Sequence, residues 1–203
     1  MDVISLYENN IQTAVAPLGT ALTEEQLALS WKYVNTPTIM FDGDSSGIRA
    51  SFKSAIMSLP FLTPNNYLQF IKLPQNYDPD SYINENSLNQ FIKYLKNPIS
   101  IINFIFQESS SSIDLQKADN RISYDKYLDD IINTIKDKKI KYFYKNEIKN
   151  LFFEKLKSNK INKNSIEKAP KVSMLINKEI SSYIASFLNH IEVRKDIYDL
   201  LKK

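Results

Sequence analysis

Residues 38–47, Thr38-Ile39-Met40-Phe41-Asp42-Gly43-Asp44-Ser45-Ser46-Gly47, decide how this chain is read. Thr38 to Phe41 is an apolar run bounded by Pro37 and Gly43, the pattern of a buried strand. Ile48, Phe52, Ile56 and Leu59 follow at helical spacing. In extended backbone, residues i and i+2 point to the same side, so Asp42 and Asp44 share a face, and Gly43 between them adds no bulk. Binding crevices of open α/β sheets lie beyond the carboxyl ends of the strands. Two carboxylates converging there repel each other unless a cation sits between them. The same residues also fit a polar turn, with Asp44 or Ser45 capping the helix that follows.

Working outward, Val3, Leu6 and Tyr7 give a short helical face, and Thr13 to Ala16 is a strand candidate closed by Pro17. Thr23 opens a capping box with Gln26, and Leu27, Trp31 and Val34 then fall on one helical face. Tyr67 to Leu73 is a further strand, stopped by Pro74. Strands alternating with helices predict an α/β arrangement over residues 1–85, a three-stranded parallel sheet with flanking helices. Asp78-Pro79-Asp80 follows the last of these strands and again places two carboxylates at a strand's carboxyl end. Asp78 equally fits a helix N-cap, with Pro79 at the first helical position and Asp80 in the first turn. The turn Ala16-Pro17-Leu18-Gly19-Thr20 leads into the capped helix, where free N–H groups can hold a phosphate or simply join strand to helix.

From Ser87 onward the pattern is helical only. Leu88, Phe91, Ile92 and Leu95 line one face, Pro98 starts a helix carrying Ile99, Ile102, Ile105 and Phe106, and Ser109 to Ser112 read as a loop. Leu128, Ile131, Ile132 and Ile135 repeat the spacing, as do Ile140, Tyr144, Ile148, Leu151 and Phe152. The Lys/Asn-rich residues 158–171 read as a linker, and a last helix carries Ile180, Tyr183, Ile184, Phe187 and Leu188. The expected parts are thus 1–86 (α/β), 87–157 (helical), the linker, and 172–203 (helical).

Composition narrows the chemistry. The chain has no cysteine, which excludes disulfides and thiolate metal sites and fits a cytoplasmic protein. Its one histidine, His190, reads as structural and excludes a histidine-cluster site, so any bound metal needs oxygen ligands, pointing to Mg²⁺, Mn²⁺ or Ca²⁺. No apolar run reaches the roughly 18 residues of a membrane span, and the start Met1-Asp2-Val3-Ile4-Ser5 has no basic n-region. Residues 1–100 hold six Lys/Arg and nine Asp/Glu, whereas residues 136–171 hold twelve Lys and four acids. Such a basic stretch is either a nucleic-acid footprint or part of the Lys, Asn and Ile bias of the whole chain.

The same motifs, in this order and spacing, resemble bacterial DNA primase. Leu18-Gly19-Thr20-Ala21-Leu22-Thr23 looks like that family's LGTALT segment. Phe41-Asp42-Gly43-Asp44, with Gly47 and Ala50, looks like its FDGDxAGxxA motif. Leu73-Pro74 followed by Asp78-Pro79-Asp80 resembles LPxGxDPD, with Asn76 where glycine is usual. Met1-Asp2-Val3-Ile4 looks like the tail of EGYMDVI, and the family's metal-site glutamate precedes that segment. Phe91 to about Phe153 is similar to the helical subdomain that ends the polymerase core, and Ile184 to Leu201 resembles the start of a helicase-binding domain.

The resemblance implies a partial TOPRIM parallel sheet followed by helices, and Mg²⁺- or Mn²⁺-dependent, template-directed synthesis of RNA primers. It implies Asp42 and Asp44 as the leading catalytic metal carboxylates, with Asp78, Asp80 and Asp2 completing the cluster. Gly19, Thr20, Gly43 and Gly47 would contact nucleotide or DNA. The implied partners are single-stranded DNA template, nucleoside triphosphates, the replicative helicase and a separate amino-terminal primase fragment, with no membrane. The chain reads as a piece of a longer primase and is expected to make no primer alone. The rivals are a non-catalytic metal-, DNA- or helicase-binding module of a split primase, and another TOPRIM enzyme, a topoisomerase or nuclease.

Overall fold

A computed structural model of the chain describes residues 2–17 and 22–163, with side chains as far as Ser158. Gly19 and Thr20, the linker beyond residue 163, the helix expected over 172–203 and His190 lie outside the described residues.

Two parallel strands form where the apolar runs predict them. Strand β1 (Thr38–Phe41) pairs with β2 (Gln69–Lys72), Thr38 opposite Gln69 and Phe41 opposite Lys72. Helix α1 (Asp2–Glu8) and helix α2 (Glu24–Ser30) precede them, and α3 (Ser45–Ser58) is the crossover between them. The Thr23–Gln26 capping box is present, both reciprocal hydrogen bonds included. Helix α2 stops before Val34, and the Trp31 indole instead donates to the Tyr67 carbonyl at 2.9 Å, tying α2's end to the approach of β2.

The third strand is not the expected one, so the three-stranded parallel sheet predicted over residues 1–85 is corrected. Thr13–Ala16 forms no strand, and Val15 stands 87% exposed with nothing to pack on. Strand β3 is Ile99–Ser100, antiparallel to β2. Pro98 has no N–H and Ser100 is already the N-cap of the next helix, its hydroxyl accepting from Asn103 at 3.4 Å. Ile99 and Ser100 are therefore extended and lie beside Phe70 and Gln69.

Helices α4 (Pro79–Asn86) and α5 (Leu88–Leu95) precede β3, and α6 (Ile101–Ser110), α7 (Ala118–Asn133) and α8 (Lys138–Lys163) follow it. The loop expected at Ser109–Ser112 is partly helix: Ser109 and Ser110 end α6, and the Ser109 hydroxyl lies 2.8 Å from the Tyr124 hydroxyl of α7. The linker expected from residue 158 likewise begins as helix, since α8 runs to Lys163.

Alternation along the strands sends side chains to both faces of the sheet. Phe70, with Ile39 beside it, enters a core completed by Ala55 and Leu59 of the α3 region, Ile105 of α6, Leu128 and Ile132 of α7, and Ile148 of α8. Phe70 stacks on Phe104, ring centroids 4.4 Å apart. Met40 and Leu73 face the other way, toward Leu6, Tyr82, Ile83 and Phe91 of α1, α4 and α5. The sheet is thus covered on both faces, as parallel pairs require. The larger core draws on residues from both sides of position 86, so no separate core marks a boundary there.

One cation closes the helical part. The Lys155 ammonium of α8 donates to the carbonyl and the hydroxyl of buried Ser110, at 2.8 and 2.7 Å, and lies 5.9 Å from the centre of the Phe106 ring. It thereby satisfies a carbonyl at the end of α6, where the helix leaves its last acceptors open. Lys155→Ala is expected to lower stability by about 1–3 kcal/mol, the cost of a buried polar group left without its partner; urea unfolding of the two proteins checks this.

Candidate metal centre at the exit of the parallel strands

Asp42 follows the last residue of β1 directly, and Asp78 lies six residues beyond β2. The loop after β2 folds back so that the two meet. The Gly43 N–H donates to the Tyr77 carbonyl at 2.7 Å. A Cβ on Gly43 would lie 1.9 Å from the Pro74 carbonyl oxygen, and one on Gly47 would lie 2.2 Å from the Asp42 carbonyl oxygen. Backbone therefore touches backbone at both glycines, and only the residue without a side chain fits. Asn76 takes φ +68°, a left-handed conformation that asparagine tolerates better than most residues, in the turn where glycine is usual in the resembling motif. Tyr77 fixes the same turn from the other end, its hydroxyl donating to Glu85 Oε2 at 2.9 Å and its ring meeting Tyr82 edge-on.

Both readings of the aspartates apply at once. Asp44 is the N-cap of α3, its Oδ1 accepting from the Gly47 N–H at 2.6 Å. Asp78 is the N-cap of α4, its Oδ1 accepting from the Ser81 N–H and hydroxyl at 2.7 Å each. These bonds from the Ser81 backbone, then from its side chain, hold the Asp78 carboxyl below its ordinary value. Both caps engage Oδ1, so Oδ2 of each takes no part in the cap.

Asp42 behaves oppositely. Its carboxyl is raised above the ordinary value, first by partial desolvation, then by the charges of Asp2, Asp78 and Asp44. Those four residues are the ones the fold brings together. Asp2 arrives on α1, which packs on α4. Asp80 does not figure among the charges acting on Asp42; its Oδ1 accepts from Asn84 Nδ2 at 3.1 Å on the same helix. Among the described residues no three acidic side chains converge tightly enough to ligate one ion as they stand. The carboxylates share a neighbourhood rather than a ligand sphere.

Gly43 and Gly47, expected at a nucleotide or DNA contact, are both packed against backbone. Their bare faces turn toward the protein's own backbone, and their N–H groups are taken by Tyr77 and Asp44. Ser81 and the Tyr77 carbonyl went unread in the sequence. Ser81 carries a recognisable signal, the third helical position after an N-cap aspartate; a carbonyl anchor carries none.

Two outcomes follow from this geometry. Gly43→Ala should cost about 1–3 kcal/mol, as for other overpacked sites, measured by chemical unfolding. Asp42→Asn should raise the melting temperature in metal-free buffer at neutral pH. A carboxyl whose folded pKa is raised loses stability as pH climbs through its titration range, so the gain from the neutral amide should vanish toward acidic pH, where Asp42 is itself protonated. Melting curves across that range test the sign.

Residues 1–83 match a family model described as Toprim-like. A DNA primase from Rickettsia typhi is 32% identical over 155 residues, 76% of this chain and 26% of that protein. One from Buchnera aphidicola is 32% identical over 143 residues, 70% of this chain and 25% of that protein. Among solved structures, a DnaG catalytic core superposes with a TM-score of 0.68 at 26% identity, covering 74% of this chain and 48% of that one. A DnaG primase catalytic domain bound to ssDNA gives 0.67 at 26% identity, covering 73% and 47%. The chain spans about a quarter of the length of the curated relatives it matches. By sequence and by fold together, this chain is similar to the bacterial DNA primases, and its residues 1–83 are similar to a Toprim-like family.

Proposed function

We propose that this chain carries the divalent-cation centre of a primase-type nucleotidyltransferase, which joins ribonucleotides on a single-stranded DNA template. The observation that carries the reading is that the loops bearing Asp42 and Asp78 are joined by the Gly43–Tyr77 hydrogen bond at the exit of two parallel strands, where the charges of Asp2, Asp78 and Asp44 act on Asp42. The donor set fits a hard cation: every group is a carboxylate, partial desolvation and then the neighbouring charges raise Asp42, and the caps engage only one oxygen each of Asp44 and Asp78. Asp42 and Asp44 would be the leading ligands to Mg²⁺ or Mn²⁺, with Asp78 and Asp2 beside them and Asp80 on the adjoining helix turn. A cation bound there neutralises charge on the phosphates and lowers the pKa of the attacking hydroxyl.

The chain's own part is positioning. In the reaction a 3′-hydroxyl attacks the α-phosphate of an incoming nucleoside triphosphate and pyrophosphate leaves. Backbone N–H groups hold one oxygen of Asp44 and one of Asp78, so these carboxylates are oriented before any ligand arrives. The Gly43–Tyr77 hydrogen bond keeps the two loops in register. The relatives' name, DNA primase, and the single-stranded DNA bound by one structural relative support the template and the reaction class. A replicative helicase and a separate amino-terminal fragment remain the further partners of this reading. Primer synthesis by the chain alone is not expected, since it spans about a quarter of the relatives named for that activity.

Titration of the purified chain with Mn²⁺, followed by calorimetry, tests the centre. Weak binding that disappears in Asp42→Asn plus Asp44→Asn is expected. Binding that survives the double substitution would place the ion elsewhere.

A further inference from the structure

Helix α8 turns an unusual face away from the core. Ile140, Ile148 and Phe152 are buried on one side, and Tyr144 and Leu151 pack with them. On the opposite side Lys139, Tyr142, Phe143, Asn146, Asn150 and Phe153 recur at helical spacing and are exposed. Tyr142, Phe143 and Phe153 keep 63%, 57% and 54% of their surface open. Tyr142 and Phe143 meet edge to face with centroids 5.4 Å apart. From Tyr142 to Phe153 the stripe runs about 16 Å, at the helical rise per residue.

Its charge is one-sided. Residues 136–158 hold eight lysines against three acids. One of those acids, Asp137, is spent locally, its Oδ1 accepting from the N–H groups of Lys139 and Ile140 at 2.9 and 2.8 Å. Across the groove, Asp125 and Asp129 of α7 are neutralised by Lys149, with Lys145 3.4 Å from Asp129. Lys138, Lys139 and Lys157 are exposed and make no ion pair among the described residues. Arg121 of α7 lines the same groove as Phe153.

We propose that this face of α8 binds a single nucleic-acid strand. The exposed aromatics are separated by the amides of Asn146 and Asn150, with Lys139 and Lys157 at the ends of the stripe, Glu147 and Glu154 along one edge, and no aliphatic side chain within it. A helix face that docks into a protein groove is built on a continuous apolar row. Aromatic rings interleaved with cations instead form a stacking platform, where bases lie on the rings and phosphates meet the ammonium groups. The surface sits on a different element from the acidic centre and does not depend on it.

The test uses the full chain and a fluorescein-labelled thymidine oligonucleotide of about a dozen residues, within the range such surfaces cover, read by anisotropy at low salt. Binding that weakens steeply with added salt is expected. Tyr142→Ala with Phe143→Ala should weaken it about tenfold or more, and Phe153→Ala about fivefold, from the stacking contribution per base, with helicity unchanged by circular dichroism. Phe143→Trp should retain binding. Lys138→Glu with Lys139→Glu should flatten the salt dependence. Parental binding in the aromatic variants, equal affinity for duplex of the same length, or no binding at low salt would each overturn the proposal. So would self-association in sedimentation that is lost with the aromatics while oligonucleotide binding is absent. Loss of Mn²⁺ binding in Asp42→Asn plus Asp44→Asn bears on the acidic centre, whereas loss of oligonucleotide binding in the aromatic variants with Mn²⁺ binding retained bears on this face alone.

Discussion

The hydrogen bond from the Gly43 N–H to the Tyr77 carbonyl joins the exit of β1 to the loop that follows β2. Everything acidic in the centre is arranged around it. Gly43 meets the Pro74 carbonyl at a distance no side chain permits, so the loops are in contact rather than merely near. That contact lets Asp78, six residues past its strand, stand beside Asp42, which follows its own strand directly. Gly47 repeats the device one turn later and sets the start of α3 against the Asp42 backbone. The register of β1 and β2 supplies the platform, and the glycines supply the closeness.

Two of the aspartates, Asp44 and Asp78, cap helices. A capping carboxylate is oriented by the N–H groups it accepts and favoured by the helix dipole. That support offsets part of the repulsion among the four charges. Asp42 has no such helix behind it: partial desolvation, then the neighbouring charges, raise its carboxyl, while the Ser81 hydrogen bonds lower that of Asp78. The fold that carries the arrangement is similar to that of a DnaG catalytic core.

The strands β1 and β2, the crossover α3 and three N-caps were legible because each has a local signature: an apolar run with Pro or Gly at its ends, or a polar residue at a fixed offset before a helix. Strand β3 was not, since two residues have no periodicity and their pairing is set by Gln69 and Phe70 far away in sequence. Thr13–Ala16 misled for the converse reason: its local pattern is adequate, but no neighbour pairs with it. Of the centre, Asp42, Asp44, Asp78 and Asp2 were readable as residue types, while the loop contact that unites them is a backbone event with no side-chain signal. The glycines are legible as residues without bulk, while the carbonyls they meet, those of Pro74 and Asp42, carry no sequence signal.

The larger core takes Phe70 from the sheet, Ile132 from α7 and Phe152 from α8 into one packed body. Cooperativity follows from that sharing. A small single body tends to open all at once, and partial opening is confined to parts with few buried contacts. The free energy holding β1 and β2 side by side therefore originates as much in the helices as in the strands. A cavity carved at Leu128 or Ile148, remote from every carboxylate, would reach the acidic rim as a change in how often the whole body is folded, and its phenotype would be one of abundance rather than of chemistry.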